Sequence, residues 1–365
     1  MKKYKLLTPG PLTTTDTVKK EMLFDHCTWD DDYKAITQQI RKKLLELAHA
    51  DGKEYTVVLM QGSGTFGVES VVTSSVGPDE KILVCANGAY GERMAKIAKQ
   101  AGKQVVVYHQ DYDKVPDAEV VAKMLAEDPA ITHVGMIHSE TTSGILNDIA
   151  AVGQVVKSAG RTFLVDGMSS FGGVDIDVPG IGIDFIISSA NKCVQGVPGF
   201  SYIICRRDAL RVCEGKCGSL SLDLYDQWKA MEVDGKWRFT SPTHVVLAFA
   251  KALEELDAEG GIPAREKRYR DNNRHLIERM RQMGIRTYID STHQGPIITT
   301  FYYPDHAQFD FEEMYQYIKD RGYAIYPGKV TDADTFRIGN IGEIYLEDID
   351  RVCDIMEEFF RTKCK

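Results

Sequence analysis

Ile183-Asp-Phe-Ile-Ile-Ser-Ser-Ala-Asn-Lys-Cys-Val-Gln-Gly-Val-Pro-Gly-Phe200 is the stretch on which the reading of the whole chain turns. Residues 183–187 are an apolar run with the length and β-branched content of a buried strand, and residues 200–205 form a second after a Gly/Pro-rich turn. Lys192 stands between them. Lysine is rarely buried without a partner, so one held between two core strands points to a used amine. Desolvation lowers the pKa of such an amine, which can then condense with a carbonyl as a Schiff base. The competing reading is a solvated turn lysine, and the rest of the chain has to decide between them.

Strands and helices alternate on both sides of this stretch. A helix is expected at 31–49, then strands at 55–60, 81–86, 104–109, 133–138 and 162–165, separated by helices at 66–76, 91–101, 118–127 and 149–159. With the two strands around Lys192 the alternation predicts an α/β protein, a mostly parallel sheet of about seven strands covered by helices on both faces. Further helices are expected at 243–256 and 264–283. Beyond them, strand candidates at 286–289, 297–302, 324–326 and 335–338 alternate with helices at 311–321 and 346–362. The 365 residues exceed the usual size of one core. The expectation is a large α/β domain over 16–260 and a small α+β domain over 261–365, the latter taking in residues 1–15.

A formal net charge of −9 argues against non-specific nucleic-acid binding and sets no limit on small anions, which respond to the local field. The eight cysteines are scattered, as in proteins of a reducing compartment. Cys213 and Cys217, the one close pair, lack the spacing and histidine companions of a zinc site, so no metal is expected. The opening residues carry no apolar signal core, and no run approaches the ~18 apolar residues of a membrane span. A cytoplasmic protein with no membrane or nucleic-acid partner is expected.

Open α/β sheets bind ligands at the carboxyl ends of their strands. Gln61-Gly-Ser-Gly-Thr-Phe-Gly67 leads from a strand into a helix. Its bare backbone and the helix N-terminus make an anion cradle, to which Ser63 and Thr65 add hydroxyls. The stretch also matches the G-x-G-x-x-G dinucleotide fingerprint, but the next strand ends Cys85-Ala-Asn-Gly88 without the acid that reading needs. No Gly-Lys-Ser/Thr follows, which excludes a P-loop. Tyr90, in Asn87-Gly-Ala-Tyr-Gly91, can stack on a planar ring or fill the core. His138-Ser-Glu-Thr-Thr-Ser-Gly144 offers hydroxyls to a polar edge, or is a Ser/Thr turn.

Asp166 ends a wholly apolar strand, which is costly unless it meets a cation or donor. An aspartate and a lysine at neighbouring strand ends, downstream of an anion cradle, fit pyridoxal phosphate. The plainer reading is an Asp–Lys ion pair. Arg337, within Phe336-Arg-Ile-Gly339, could grip a carboxylate or phosphonate with both prongs, or serve a structural ion pair.

Taken together, Thr8-Pro-Gly-Pro11, Gln61-Gly-Ser-Gly-Thr65, Asn87-Gly-Ala-Tyr-Gly91, Val165-Asp-Gly167, the stretch 188–200, Arg238-Phe-Thr-Ser-Pro-Thr-His244 and Phe336-Arg-Ile-Gly-Asn-Ile-Gly342 resemble one family. It is the class-V group of fold-type-I, pyridoxal-phosphate-dependent aminotransferases, and within it the branch acting on aminophosphonates. The resemblance runs from about residue 4 to about residue 345. It implies a homodimer that moves the amino group of 2-aminoethylphosphonate to pyruvate, giving phosphonoacetaldehyde and L-alanine. It implies that Lys192 holds pyridoxal 5'-phosphate, that Asp166 pairs with the ring nitrogen and that Tyr90 stacks on the ring. Ser63, Gly64, Thr65 and Asn191 would serve the phosphate, Thr142 the ring hydroxyl, and Thr240 the phosphate of the neighbouring subunit. Arg337 would bind the acidic group of both substrates. The competing readings are an alanine- or serine:glyoxylate aminotransferase on the same residues, a nicotinamide-dependent dehydrogenase built on residues 62–67, and a ligand-binding relative without turnover.

Overall fold

Seven strands form one sheet: β1 (Tyr55–Gln61), β2 (Lys81–Ala86), β3 (Gln104–His109), β4 (Ile131–Ile137), β5 (Thr162–Asp166), β6 (Phe185–Ser189) and β7 (Phe200–Arg206). The computed structural model describes residues 4–306 and 308–364, so residues 1–3, 307 and 365 of the expected small domain lie outside the described residues. The strand order is β1-β7-β6-β5-β4-β2-β3. β7 runs antiparallel to both of its neighbours, and every other pairing is parallel. The period-two alternation of strand side chains splits each strand between two cores. Val57 and Leu59 of β1 join one cluster with Val165 of β5 and Ile186 of β6. Val58 and Met60 join the opposite cluster with Leu164 and Ile187. Both faces are therefore covered, which is why these strands read as continuous apolar runs.

The covering helices include α1 (Asp31–Leu47), α2 (Gly64–Ser75), α3 (Ala89–Gln100), α4 (Ala118–Glu127), α5 (Ile149–Ser158), α6 (Leu224–Asp234), α7 (Thr243–Glu259) and α8 (Gly261–Gln282). The C-terminal part adds α9 (Phe311–Asp320) and α10 (Leu346–Lys363). Their apolar faces close over a three-stranded antiparallel sheet of β8 (Ile298–Tyr302), β10 (Thr335–Gly339) and β9 (Tyr326–Pro327), in that order. Lys5–Leu6 pairs in parallel with Tyr323–Ala324, so the N-terminal segment is tied to this second body. Among the described residues no helix is long and apolar enough to cross a membrane.

Two expectations need correction. Residues 286–289 form no strand: only the bridge Thr287–Phe301 is made, because the Asp290 carboxylate draws in Thr292 and turns the chain away. The single strand expected at 324–326 is two short ones, since the chain changes partner at buried Ile325, from Lys5–Leu6 to β10.

The direction of β7 positions the lysine. A parallel β7 would need a crossover of a dozen or more residues away from the carboxyl edge, whereas an antiparallel one can follow β6 through a short connection along that edge. Residues 190–199 are that connection. α8 holds it in place: the Arg265 guanidinium, itself buried, donates to the Cys193 carbonyl at 2.7 Å, and Arg268 donates to the Gln195 side chain at 3.2 Å. Phe249 of α7 packs beneath, with ring centroids 5.1 Å from Phe200 and 5.5 Å from Tyr202.

Truncating this ring leaves a cavity under β7. Phe249→Ala should lose about 3–5 kcal/mol of stability, read as a lower denaturant midpoint, while Val233→Ala on the exposed face of α6 should stay within about 0.5 kcal/mol of the parent.

Candidate active site

The carboxyl edge of the large sheet gathers residues from successive strand ends. Ser63 caps α2 after β1, Tyr90 lies in the first turn of α3 after β2, Asp166 is the last residue of β5, and Lys192 lies between β6 and β7. A cleft of about 200 Å³ is lined by Ser63, Gly64, Thr65, Tyr90, Asp166, Asn191 and Lys192. Seven residues singled out in the sequence thus share one cavity.

Lys192 is half-buried, and its Nζ donates to the Pro9 carbonyl at 2.7 Å and to Ser169 Oγ at 3.5 Å. Burial pushes the amine below its ordinary value, against the opposing pull of Tyr90, Cys193 and Asp166. The N-terminal segment is therefore a wall of the site. It is held by the Leu7 carbonyl accepting from Gly339 N at 2.9 Å and the Thr13 carbonyl accepting from Glu343 N at 2.8 Å. Gly10, at φ +121°, lies so close that a Cβ there would fall 2.7 Å from Lys192 Cδ. Any side chain there would be strained at this φ and would push the lysine aside.

Asp166 and Lys192 form no ion pair among the described residues, so the plainer reading of that pair is set aside. Asp166 Oδ1 instead accepts from Met168 N at 2.8 Å. Its carboxyl is pushed up to about 6, first by burial and then by the Glu140 charge, with the Met168 N–H, Lys192 and Arg93 acting the other way. Glu140 was not singled out in the sequence. It is fully buried and accepts from Tyr90 N at 3.1 Å, Gly91 N at 3.2 Å, Thr142 N at 3.0 Å and Thr142 Oγ1 at 2.6 Å. A carboxylate at the start of α3 is favoured by the free N–H groups there. The signal was present, an acid just past an apolar strand, as for Asp166.

Three expected residues lie off the cleft lining. Thr142 is buried one layer below, its hydroxyl committed to Glu140 and to Ala89 N at 3.0 Å. Thr240 is exposed on the protein surface. Arg337, 6% exposed, donates from Nε to the Pro327 carbonyl at 2.9 Å and from Nη1 to the Thr141 carbonyl at 2.8 Å. It makes no ion pair among the described residues, which removes the structural-pair reading. Both bonds are to neutral carbonyls, so this buried cation has no hydrogen-bonded acid, and its Nη2 makes no bond among the described residues. Tyr90 lies between the two groups: burial raises its phenol, but the charges of Lys329 and Lys192 outweigh this and draw it down.

These features define a class before any particular protein. Residues 27–336 match the aminotransferase class-V family model, and the chain belongs to that family. A protein of Lysinibacillus sphaericus named 2-aminoethylphosphonate–pyruvate transaminase is 58% identical over 363 residues, covering 100% of this chain and 99% of that one. One of the same name from Klebsiella pneumoniae is 54% identical over 349 residues, covering 95% of each. Among solved structures, the Bacillus subtilis ureidoglycine–glyoxylate aminotransferase superposes with a TM-score of 0.92 at 22% identity, covering 100% of this chain and 94% of the other. Pyridoxamine–pyruvate aminotransferase from Mesorhizobium loti gives 0.90 at 22% identity, with the same coverage. At that identity the likeness is one of fold, and it agrees with the expected fold-type-I arrangement.

The raised Asp166 carboxyl has a thermodynamic consequence. Its folded value of about 6 exceeds the ordinary 3.8, so its contribution is fully present below pH 4 and is lost as pH rises through 6. The gap corresponds to about 3 kcal/mol. In protein stripped of small molecules, Asp166→Asn should gain on the parent by up to that amount between pH 4 and pH 8, measured by denaturant midpoints; equal pH responses would contradict the assignment.

Proposed function

We propose that the chain is a pyridoxal-phosphate-dependent transaminase that moves the amino group of 2-aminoethylphosphonate to pyruvate, releasing phosphonoacetaldehyde and L-alanine. The observation that carries the proposal is the desolvated Lys192 amine on the same cleft as Asp166 and the α2 N-terminus. The 58%-identical relative's name supports the substrates.

The residues present fit the cofactor. The N–H groups of Gly64 and Thr65 carry no hydrogen bond among the described residues, and Ser63 makes no capping bond, so α2 offers open donors and a partial positive charge to a phosphate. Asn191 accepts from Ser189 Oγ at 3.0 Å through its carbonyl, which leaves its amide N–H groups for the same anion. Asp166, costly to ionise alone, becomes favourable against a protonated ring nitrogen, and Tyr90 supplies a ring face beside it. Thr142 is the proposed neighbour of the ring hydroxyl. Thr240, exposed next to the exposed Phe239, suits a phosphate in a second copy, which fits a homodimer.

When bound, pyridoxal phosphate supplies an electron sink for the carbon that bears the amine. Lys192 holds the cofactor between turnovers and, once free, its Nζ takes the proton from that carbon of the donor. Burial lowers the pKa of this amine, which favours its acting as the base. In the second half-reaction the same Nζ returns a proton to C2 of the acceptor. Asp166 keeps the ring nitrogen protonated throughout. Arg337 binds the phosphonate of one substrate and the carboxylate of the other, and its fork suits both. The expected domain division, 16–260 and 261–365 with 1–15, belongs to the same proposal, with Lys192 on the large body and Arg337 on the small one. A cytoplasmic location goes with it.

The holoenzyme should absorb visible light and bleach on adding 2-aminoethylphosphonate, then regain colour with pyruvate in ping-pong fashion. L-alanine with glyoxylate outrunning that pair would favour the alanine:glyoxylate reading instead. Lys192→Ala should lose turnover altogether. Arg337→Met should lower kcat/KM for both substrates by about 100-fold, since both draw on one guanidinium.

A further inference from the structure

Two cations lie on the Tyr90 ring: Arg93, which lines the cleft with its guanidinium 4.8 Å from the centroid and donates to Thr65 Oγ1 at 3.3 Å, and Lys329, which has no partner of that kind. Lys329 follows β9, and its Nζ lies 3.8 Å from the centroid of the Tyr90 ring. It forms no ion pair among the described residues. Its backbone is fixed by the same contacts that fix Arg337: Arg337 Nε binds the Pro327 carbonyl two residues earlier, and Gly328 N donates to the Thr335 carbonyl at 2.9 Å, two residues before Arg337. A Cβ at position 328 would fall 2.2 Å from Thr335 Oγ1, so the turn that presents Lys329 cannot swell. The Lys329 charge acts on both the Tyr90 phenol and the Lys192 amine, and the Tyr90 phenol acts on Arg337. One turn thus presents Lys329 over the Tyr90 ring and fixes Arg337 through the Pro327 carbonyl.

The two proposed substrates differ in charge at the end that Arg337 would grip. A carboxylate carries one negative charge and two oxygens, which one guanidinium neutralises. A phosphonate resembles a phosphate monoester, with a second pKa near 6, close to two negative charges at pH 7 and three acceptor oxygens. In a half-dry cleft lined by Asp166, with Glu140 buried beneath it, a second uncompensated negative charge is costly. We propose that Lys329 is the specificity-determining residue that joins Arg337 on the doubly charged phosphonate of the donor, while the carboxylate of pyruvate or alanine is held by Arg337 alone. On donor binding the ammonium leaves the Tyr90 face for a phosphonate oxygen, a short movement for a flexible four-carbon stem.

This inference rests on the phosphonate reading, and the test separates the two. The donor half-reaction of the holoenzyme is followed by bleaching, with 2-aminoethylphosphonate and with L-alanine, for the parent, Lys329→Gln and Lys329→Arg. The ratio of kcat/KM for 2-aminoethylphosphonate to that for L-alanine should fall about 10- to 100-fold in Lys329→Gln, chiefly through KM, and recover in Lys329→Arg. Methylphosphonate should inhibit the parent's alanine half-reaction at least tenfold more tightly than acetate, a measurement that needs no variant to fold. An unchanged ratio in Lys329→Gln, or equal loss on both donors, overturns the role of Lys329 while leaving the transaminase reading intact. A parent that bleaches with L-alanine and not with 2-aminoethylphosphonate overturns the phosphonate reading and this assignment together.

Discussion

The structure depends on keeping ionisable groups at one dry sheet edge without letting them neutralise one another. Lys192 donates a hydrogen bond to the Pro9 carbonyl, and Asp166 accepts one from the Met168 N–H, so each charge is tempered by a neutral backbone dipole. A direct Asp166–Lys192 pair would quench both and fill the cleft. Held apart, they leave a site whose electrostatics are satisfied by a molecule anionic at one end and cationic at its ring. Glu140 extends the same arrangement one layer deeper, where four donors from the start of α3 and from Thr142 hold a wholly buried carboxylate.

Holding such groups takes support from outside the sheet. The Lys192 connection is gripped from one side by Arg265 and Arg268 of α8 and from the other by the N-terminal segment, which lies across the lysine at Gly10. The segment is in turn bonded to the strand end that follows Arg337. The amine on the large sheet and the guanidinium on the small one are thus linked through a few residues of irregular chain. That linkage accounts for Gly10: at φ +121°, this close to the lysine, a Cβ would be strained and would displace the amine.

Much of the site could be read from the residue types alone. An aspartate after an apolar strand, a lysine between two, and a Gly-rich strand–helix turn are each expensive unless used, and they proved to line one cleft. The helix at 224–234 went unread although its signals were present, with Asp223 as cap, buried Leu224, Gln227, Trp228 and Met231 at helical spacing, and Gly235 in the left-handed conformation at its end. Glu140 carries the same burial signal as Asp166, but its hydroxyl-rich neighbours make the stretch look like a Ser/Thr turn.

What the sequence determined by itself was local and periodic: which segments are strands, which face of each helix is apolar, and which polar residues stand where water is scarce. These follow from chain stereochemistry and the hydrophobic pattern, and need no knowledge of neighbours. Only the tertiary structure decided that β7 runs antiparallel, that Pro9 and Gly10 roof the lysine, that Arg337 makes no ion pair among the described residues, and that Lys329 lies over Tyr90. Each is a meeting of residues far apart in the chain, set by how the two sheets and the N-terminal segment pack, and no local propensity encodes it.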